Sequence, residues 1–241
     1  MKELSKSIVR RMADANFGRR WFVGAGIDIG GKPDPLSLYG PFFPLMGSVR
    51  TWDWEDGDAQ ILDGVAPESQ DFIHSSHCLE HLVDPVAGLK AWFAAIRPGG
   101  FLIITVPDED LYEQGVFPST HNRDHKWTFS ILKGRSWSDR SINVVELLTG
   151  LGAAADIEKL ALLNASFRYD LPRFDQTLTP IGECGIEFVV RKRTARELTY
   201  GGLVRDTEQP SPTHLRHFNQ YRSDHAHIKT SPPPFEDENP L

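Results

Sequence analysis

Apolar residues in this chain fall into short runs broken by glycine and proline, the spacing of strands that alternate with helices. Over residues 3–17, Leu4, Ile8 and Met12 recur every four positions with Lys and Arg between them, which predicts an amphipathic helix. Such a helix reads either as a lid over a ligand or as a packing element. Gly26–Ile29 reads as a buried strand ending in a glycine turn, and Val49–Trp54 as a second strand. Between them, Lys32–Gly47 holds Pro33, Pro35, Pro41 and Pro44, which speak against a regular helix. Asp71–Ser75 predicts a short third strand. Asp84 then serves as N-cap, with Pro85 at the first helical position. Val86, Leu89, Phe93 and Ile96 share one face of that helix, and Arg97-Pro98-Gly99-Gly100 ends it. Phe101–Val106 is continuously apolar, as a parallel strand covered on both faces must be. Ser138–Leu151 predicts a further helix, and Ile157–Leu163 and Gly185–Arg191 two closing strands.

The order predicts an α/β domain with a mostly parallel sheet. Three segments follow: 1–20, the N-terminal helix or lid; 21–207, the α/β domain; and 208–241, a tail with Pro232-Pro233-Pro234 and an acidic end. The tail's composition predicts disorder or an arm on a second subunit, and a homodimer is one expectation. Hydrophobic content of 40% and charged content of 24% are ordinary for a globular protein. Apolar runs such as Phe101–Pro107 are too short to span a bilayer, so no membrane association is expected. Met1–Arg11 has no apolar signal-peptide core, which predicts a cytoplasmic location. Cys78 and Cys184 form no disulfide framework and lack zinc spacing. The net charge of -7 argues against broad nucleic-acid binding but leaves room for a small neutral or cationic substrate.

Four ordered motifs then stand out between residues 26 and 107: Ile27-Asp28-Ile29-Gly30-Gly31, Gly57-Asp58-Ala59-Gln60, the stretch Asp71–Leu82, and Pro98-Gly99-Gly100-Phe101-Leu102. Together they resemble the class I, Rossmann-like S-adenosylmethionine-dependent methyltransferases of the type 11-like kind. The resemblance implies a three-layer sandwich with an antiparallel last strand, and S-adenosyl-L-methionine bound beyond the carboxyl ends of the strands. Gly30 and Gly31 let the backbone approach the cofactor's methionine part. Asp28 would order that loop or meet the cofactor's ammonium, and Asp53 would accept from the ribose hydroxyls. Asp58 and the backbone of Ala59 would read the adenine edge. Ser75 and Ser76, at the end of the third strand, complete the cofactor set. Two departures stand beside the match. Lys32 occupies a position where the family usually has glycine, and the Asp53–Asp58 interval is too short for the usual helix and strand, so the second or third strand is abbreviated.

His77, Glu80 and His81 fall at i, i+3 and i+4, on one face of a helical turn, and Asp124-His125-Lys126-Trp127 follows later. This pair of stretches resembles the small-RNA 2′-O-methyltransferases, which hold a divalent metal that activates the acceptor hydroxyl. Ubiquinone-pathway O-methyltransferases carry a similar Glu-His element. The resemblance implies Glu80, His81 and His125 as metal ligands, with His77 where those families have Glu. Nitrogen in place of oxygen shifts preference from magnesium toward manganese, iron or zinc. Without a metal, His125 or His81 is the best general base, because imidazole titrates near neutrality. Leu111–Phe129, with Tyr112 and Glu113, reads as an acceptor loop or a surface excursion, and Asp175-Gln176-Thr177 as a second part of the acceptor pocket. Trp52, Trp54 and Trp92 read as core or rim packing.

The leading expectation is methyl transfer from S-adenosylmethionine to an oxygen of a small molecule or glycan by in-line displacement. RNA 2′-O-methylation competes, favoured by Asp124-His125-Lys126 and opposed by the charge. A degenerate methyltransferase fold acting as a non-catalytic binding module is a third reading, motivated by Lys32 and the absent helix. A dinucleotide dehydrogenase is disfavoured, since no Gly-x-Gly-x-x-Gly is present.

Overall fold

The computed structural model describes residues 3–203, so the tail expected from residue 208 lies outside the described residues. The main sheet has six strands in the order β2-β1-β3-β4-β8-β7. These are β1 (Gly24–Ile29), β2 (Met46–Trp52), β3 (Gln70–Ser76), β4 (Ile96–Pro107), β7 (Ala155–Leu163) and β8 (Gly185–Lys192). β2, β1, β3 and β4 run parallel, whereas β8 is antiparallel to both β4 and β7. β5 (Thr128–Ser130) and β6 (Ser141–Asn143) form a separate two-stranded sheet. Between β2 and β3 the chain makes one short 3-10 turn, Trp54–Asp56, and no strand. The abbreviated element is therefore the third strand of the family pattern, and β2 is left as the sheet edge. No helix among the described residues is long and apolar enough to cross a membrane.

Strand alternation sorts side chains into two layers. Ile27, Ile29, Leu102, Ile104 and Val106 face a core shared with α2 (Pro85–Ala95) and α3 (Val144–Thr149). Phe72, Phe101, Ile103 and Val189 face the opposite core, closed by Leu4 of α1 (Glu3–Ala13) and by Phe17, Trp21 and Phe22. α2 starts where Asp84 predicts it: the Asp84 side chain accepts from Ala87 N at 2.9 Å, and Pro85 opens the helix. Ile96 pairs with Gln70 and Phe101 with Phe72, so Arg97–Gly100 bulges out of the parallel ladder.

Two predicted helices are corrected. The helix expected over residues 3–17 ends at Ala13, and a π-helical turn over Phe17–Trp21 follows. Its predicted stripe also fails at Met12, which is 52% exposed, while Arg11 is buried at 1%. Arg11 is tolerated inside because Glu187 neutralises it at 3.0 Å. The helix expected over Ser138–Leu151 shrinks to α3, because Ser141–Asn143 pairs with β5 instead. Asn143 fixes that pairing by accepting from Ser130 Oγ at 3.0 Å and from Lys133 N at 2.8 Å.

Candidate active site

The chain leaves β1 toward β2 on one side and reaches β3 on the other. The order of strands therefore reverses at the carboxyl ends of β1 and β3, where open α/β sheets bind ligands. A cavity of about 1080 Å³ opens there. One end is lined by Gly30, Trp52, Asp53, Asp58, Ala59 and Cys78, and the other by His77, His81, Tyr112, Asn122, Asp124 and His125.

Gly30 has φ +71°, and a Cβ there would approach the Cys78 Cβ to 2.9 Å, so the turn demands glycine. At Gly31 a Cβ would lie 2.2 Å from Asp28 Oδ2. Asp53 accepts from Trp54 N at 2.9 Å and from Lys32 N at 3.2 Å, so the backbone of Lys32 braces the expected ribose-binding carboxylate. The Lys32 side chain turns outward onto Glu55. Asp58 Oδ1 accepts from Gln60 N, and Ala59 O accepts from Trp92 Nε1 at 2.7 Å, which ties the adenine-side loop to α2. Of the three tryptophans expected in the core or at the rim, Trp52 and Trp92 are buried and Trp54 stands at the rim, 94% exposed.

The geometry decides between the two roles expected of Asp28 and sets Ser75, Ser76 and Gly31 off the cavity wall. Asp28 is buried and spends both oxygens on the protein, accepting from Leu36 N at 2.7 Å and meeting His74 Nδ1 at 2.6 Å. Of its two expected roles, loop ordering is the one its contacts serve. Ser75 donates its hydroxyl to Ile29 O at 3.0 Å within the sheet and does not line the cavity. Ser76 and Gly31 are likewise absent from the cavity wall, though Gly31 adjoins it in the chain.

At the other end, Leu79–His81 forms a 3-10 turn directly after β3, which buries Glu80 completely. His77 enters that turn in the left-handed region at φ 56°. Neither Glu80 oxygen receives a hydrogen bond. The nearest groups to Glu80 Oε1 are His77 Nδ1 at 3.4 Å, His125 Nε2 at 3.8 Å and His81 Nε2 at 3.9 Å. Burial pushes the Glu80 carboxyl up, but His77 first, and His125 and His81 after it, outweigh burial and hold it below the usual range.

The two ring orientations are fixed from behind. His81 Nδ1 donates to Asp124 O at 3.2 Å, and His125 Nδ1 lies 2.8 Å from Glu113 Oε1. A neutral ring that donates from Nδ1 presents a bare lone pair at Nε2. Both Nε2 atoms face the Glu80 carboxylate, and one ligand atom from each residue lies within 4.8 Å of the others. Lys126 closes the back of the turn, with its N donating to Glu80 O at 2.9 Å and its ammonium donating to His81 O.

His77 is not part of this group of three. Its Nε2 faces Glu3 at 3.7 Å, so it links α1 to the turn, and the expected fourth-ligand position is corrected. Burial pulls the His77 pKa down, but the carboxylates of Glu3 and Glu80 outweigh it and raise it. Residue spacing did not reveal Glu113 as the partner of His125. Its buried position on the π-helical turn Glu109–Glu113, set by Asp108 accepting from Leu111 N, is a tertiary result. Thr177, on the expected second part of the acceptor pocket, accepts at its carbonyl from Lys6 Nζ at 2.6 Å and does not line the cavity.

A family model described as "Methyltransferase domain" matches residues 13–152, more than half of the chain. The chain belongs to the methyltransferase domain family. No curated protein matches it in sequence. Among solved structures, a candidate methyltransferase from Bacillus halodurans C-125 is similar at 10% identity and TM-score 0.51, over 78% of this chain and 99% of that one. The plantazolicin methyltransferase BpumL in complex with SAH is similar at 11% identity and TM-score 0.50, over 80% and 84%. At these identities the likeness is one of fold. This methyltransferase thus has the mixed, mostly parallel sheet of the class I S-adenosylmethionine-dependent enzymes, with the antiparallel strand last in the chain.

Proposed function

We propose that this methyltransferase transfers the methyl group of S-adenosylmethionine to an oxygen of a small-molecule or glycan acceptor, with Glu80, His81 and His125 holding a divalent cation. The observation that carries this reading is the convergence of the Nε2 atoms of two cavity-lining imidazoles, His81 and His125, on the Glu80 carboxylate buried behind them, in the cavity that also reaches Gly30. Two imidazole nitrogens and a carboxylate oxygen within reach of one point form a donor set that a divalent cation can bind. The mixed nitrogen and oxygen set fits manganese, iron or zinc better than magnesium. Bound there, such a cation would lower the pKa of an acceptor hydroxyl.

The chain's own residues supply the rest. Gly30, Asp53, Asp58 and Ala59 hold the cofactor at one end of the cavity. Tyr112 and Asn122 line the space for the acceptor at the other. Glu113 fixes the His125 ring, so that Nε2 is the basic atom that faces the cavity. In-line alignment of acceptor oxygen, methyl carbon and sulfur accounts for much of the acceleration. If the cation is absent in solution, His125 or His81 takes the hydroxyl proton directly.

Calorimetry with S-adenosylmethionine, followed by crystals of the complex soaked in manganese, tests both halves. Submillimolar cofactor binding and an anomalous peak among Glu80, His81 and His125 are expected. No binding at millimolar cofactor would overturn the enzymatic reading. Binding without the peak would remove the metal and leave the histidine base. Acceptor chemistry is read by radiolabelled methyl transfer to phenols, sugars and RNA. Labelled RNA with salt-dependent binding would favour 2′-O-methylation instead.

A further inference from the structure

On the α1 face of the sheet, adjacent strands place four polar side chains among apolar ones. Asp28 on β1 is in register with His74 on β3, and Thr105 on β4 with Glu187 on β8. All four are buried, and Arg11 of α1 descends onto them. Arg11 Nη1 lies 3.0 Å from His74 Nε2, and its Nε donates to Glu187 Oε2 at 3.1 Å. On the far side of the ring, His74 Nδ1 lies 2.6 Å from Asp28 Oδ1, and Asp28 Oδ2 accepts from Leu36 N.

The protons in this chain of bonds have one consistent arrangement. A guanidinium only donates, so His74 Nε2 must accept. The ring proton therefore sits on Nδ1 and is donated to Asp28. Burial first, and Arg11 to a lesser extent, outweigh the pull of Asp28 and lower the His74 pKa, which agrees with a neutral ring. Asp28 is thereby held with one oxygen on the ring and one on the amide of Leu36, the residue that ends the Gly30–Pro35 loop.

We propose that Arg11 and His74 are positioning residues for the cofactor loop: Arg11 dictates the His74 tautomer, and that tautomer fixes the Asp28 carboxylate which holds Leu36 and so shapes the turn at Gly30 and Gly31. The inference rests on the reading that this loop binds S-adenosylmethionine. It assigns the N-terminal helix a role in cofactor affinity without any contact to the cofactor.

The test is a mutant cycle. Asp28→Asn leaves one oxygen for two donors, so its amide faces either His74 Nδ1–H or Leu36 N–H. The ring could accommodate an amide donor by moving its proton to Nε2, but Arg11 blocks that tautomer. Asp28→Asn should therefore weaken S-adenosylmethionine binding about tenfold or more, the scale of a lost hydrogen bond to a charged group. It should raise KM for the cofactor more than it lowers kcat. Adding Arg11→Met frees the tautomer, and the double variant should recover part of the affinity. Glu187 stays paired in that variant through Arg10 and Lys159. A purely structural role for Arg11 predicts the opposite, a double variant weaker than either single one, and that result overturns the proposal. Should Asp28→Asn fail to fold, His74→Gln and His74→Leu replace it. Glutamine offers one donor and one acceptor, so it should keep both the affinity and slow exchange of the Leu36 amide, whereas leucine should lose both. Equal affinity and exchange in the two overturn the proposal. Failure of the wild-type protein to bind the cofactor overturns the underlying reading instead, and is visible before any variant is made.

Discussion

Two groups of buried charge flank the carboxyl end of β3, and they are built in opposite ways. Under the sheet, Arg11, His74, Asp28 and Glu187 have partners on every side, and Glu187 alone meets Arg10, Arg11 and Lys159. Beyond the strand, Glu80 is as deeply buried as Glu187 and yet neither of its oxygens accepts a hydrogen bond. Its compensation comes from the nearby histidines, which hold the Glu80 carboxyl below its usual range, and not from a set of hydrogen bonds like that around Glu187. The contrast separates a charge cluster that serves the fold from one whose proposed role is chemical. A saturated cluster has nothing left to offer, whereas an unsaturated carboxylate behind two cavity-lining histidines is where chemistry is expected.

The sharpest way to break this contrast is to neutralise each glutamate in turn. Glu187→Gln strands Arg11 in the core and should cost about 3–5 kcal/mol of stability in chemical denaturation. Glu187 titrates far below the usual carboxylate range, since Arg11, Arg10 and Lys159 together overcome the effect of burial. Its stabilisation is therefore present above the unfolded value of about 4.3 and is lost as pH falls below it. The melting temperature of the wild type should fall below about pH 4.5, and this slope should flatten in Glu187→Gln.

Glu80→Gln should show the reverse pattern. Its stability loss should be far smaller than that of Glu187→Gln, while methyl transfer falls by about 100-fold or more. Equal stability losses in the two variants would mean that both clusters are structural. Asp53→Ala is expected to weaken S-adenosylmethionine binding by about tenfold with little change in kcat, measured by calorimetry and initial rates. The smallest effect concerns Asp108, whose pKa burial raises to about 6. Because the folded value lies above the unfolded one, its ionisation lowers stability as pH rises from about 4 through 6. Asp108→Asn keeps the oxygen that accepts from Asp110 N and Leu111 N, and should raise the melting temperature at pH 7.5 but not at pH 4.

Much of the fold was legible because its signals are local. Asp84-Pro85 starts α2 by capping and by a preset φ, and Phe101–Val106 is a strand because an unbroken apolar run must be covered on both faces. The prolines after Gly31 leave only a 3-10 stretch over Leu36–Phe42. Local signals misled where a distant partner intervened. Periodicity placed Met12 inside and Arg11 outside α1, and Glu187, 176 positions further on, reversed them. Helix propensity extended α3 back to Ser138, and the pairing of β6 with β5 cut it short.

The same division runs through the site. Spacing and element order were enough to put a glycine turn after β1, Glu80 and His81 after β3, and His125 in the loop after β4. Tertiary structure alone decided that Asp28 and Ser75 are spent inside the protein, that His77 leans on Glu3 and stands outside the group of three, and that Glu113 and Asp124 turn two imidazoles so that both Nε2 atoms face one carboxylate. The physical reason is directional. Spacing along a chain tells which residues can meet, but a hydrogen bond or a ligand bond depends on which atom points where, and that orientation is imposed by groups far away in sequence.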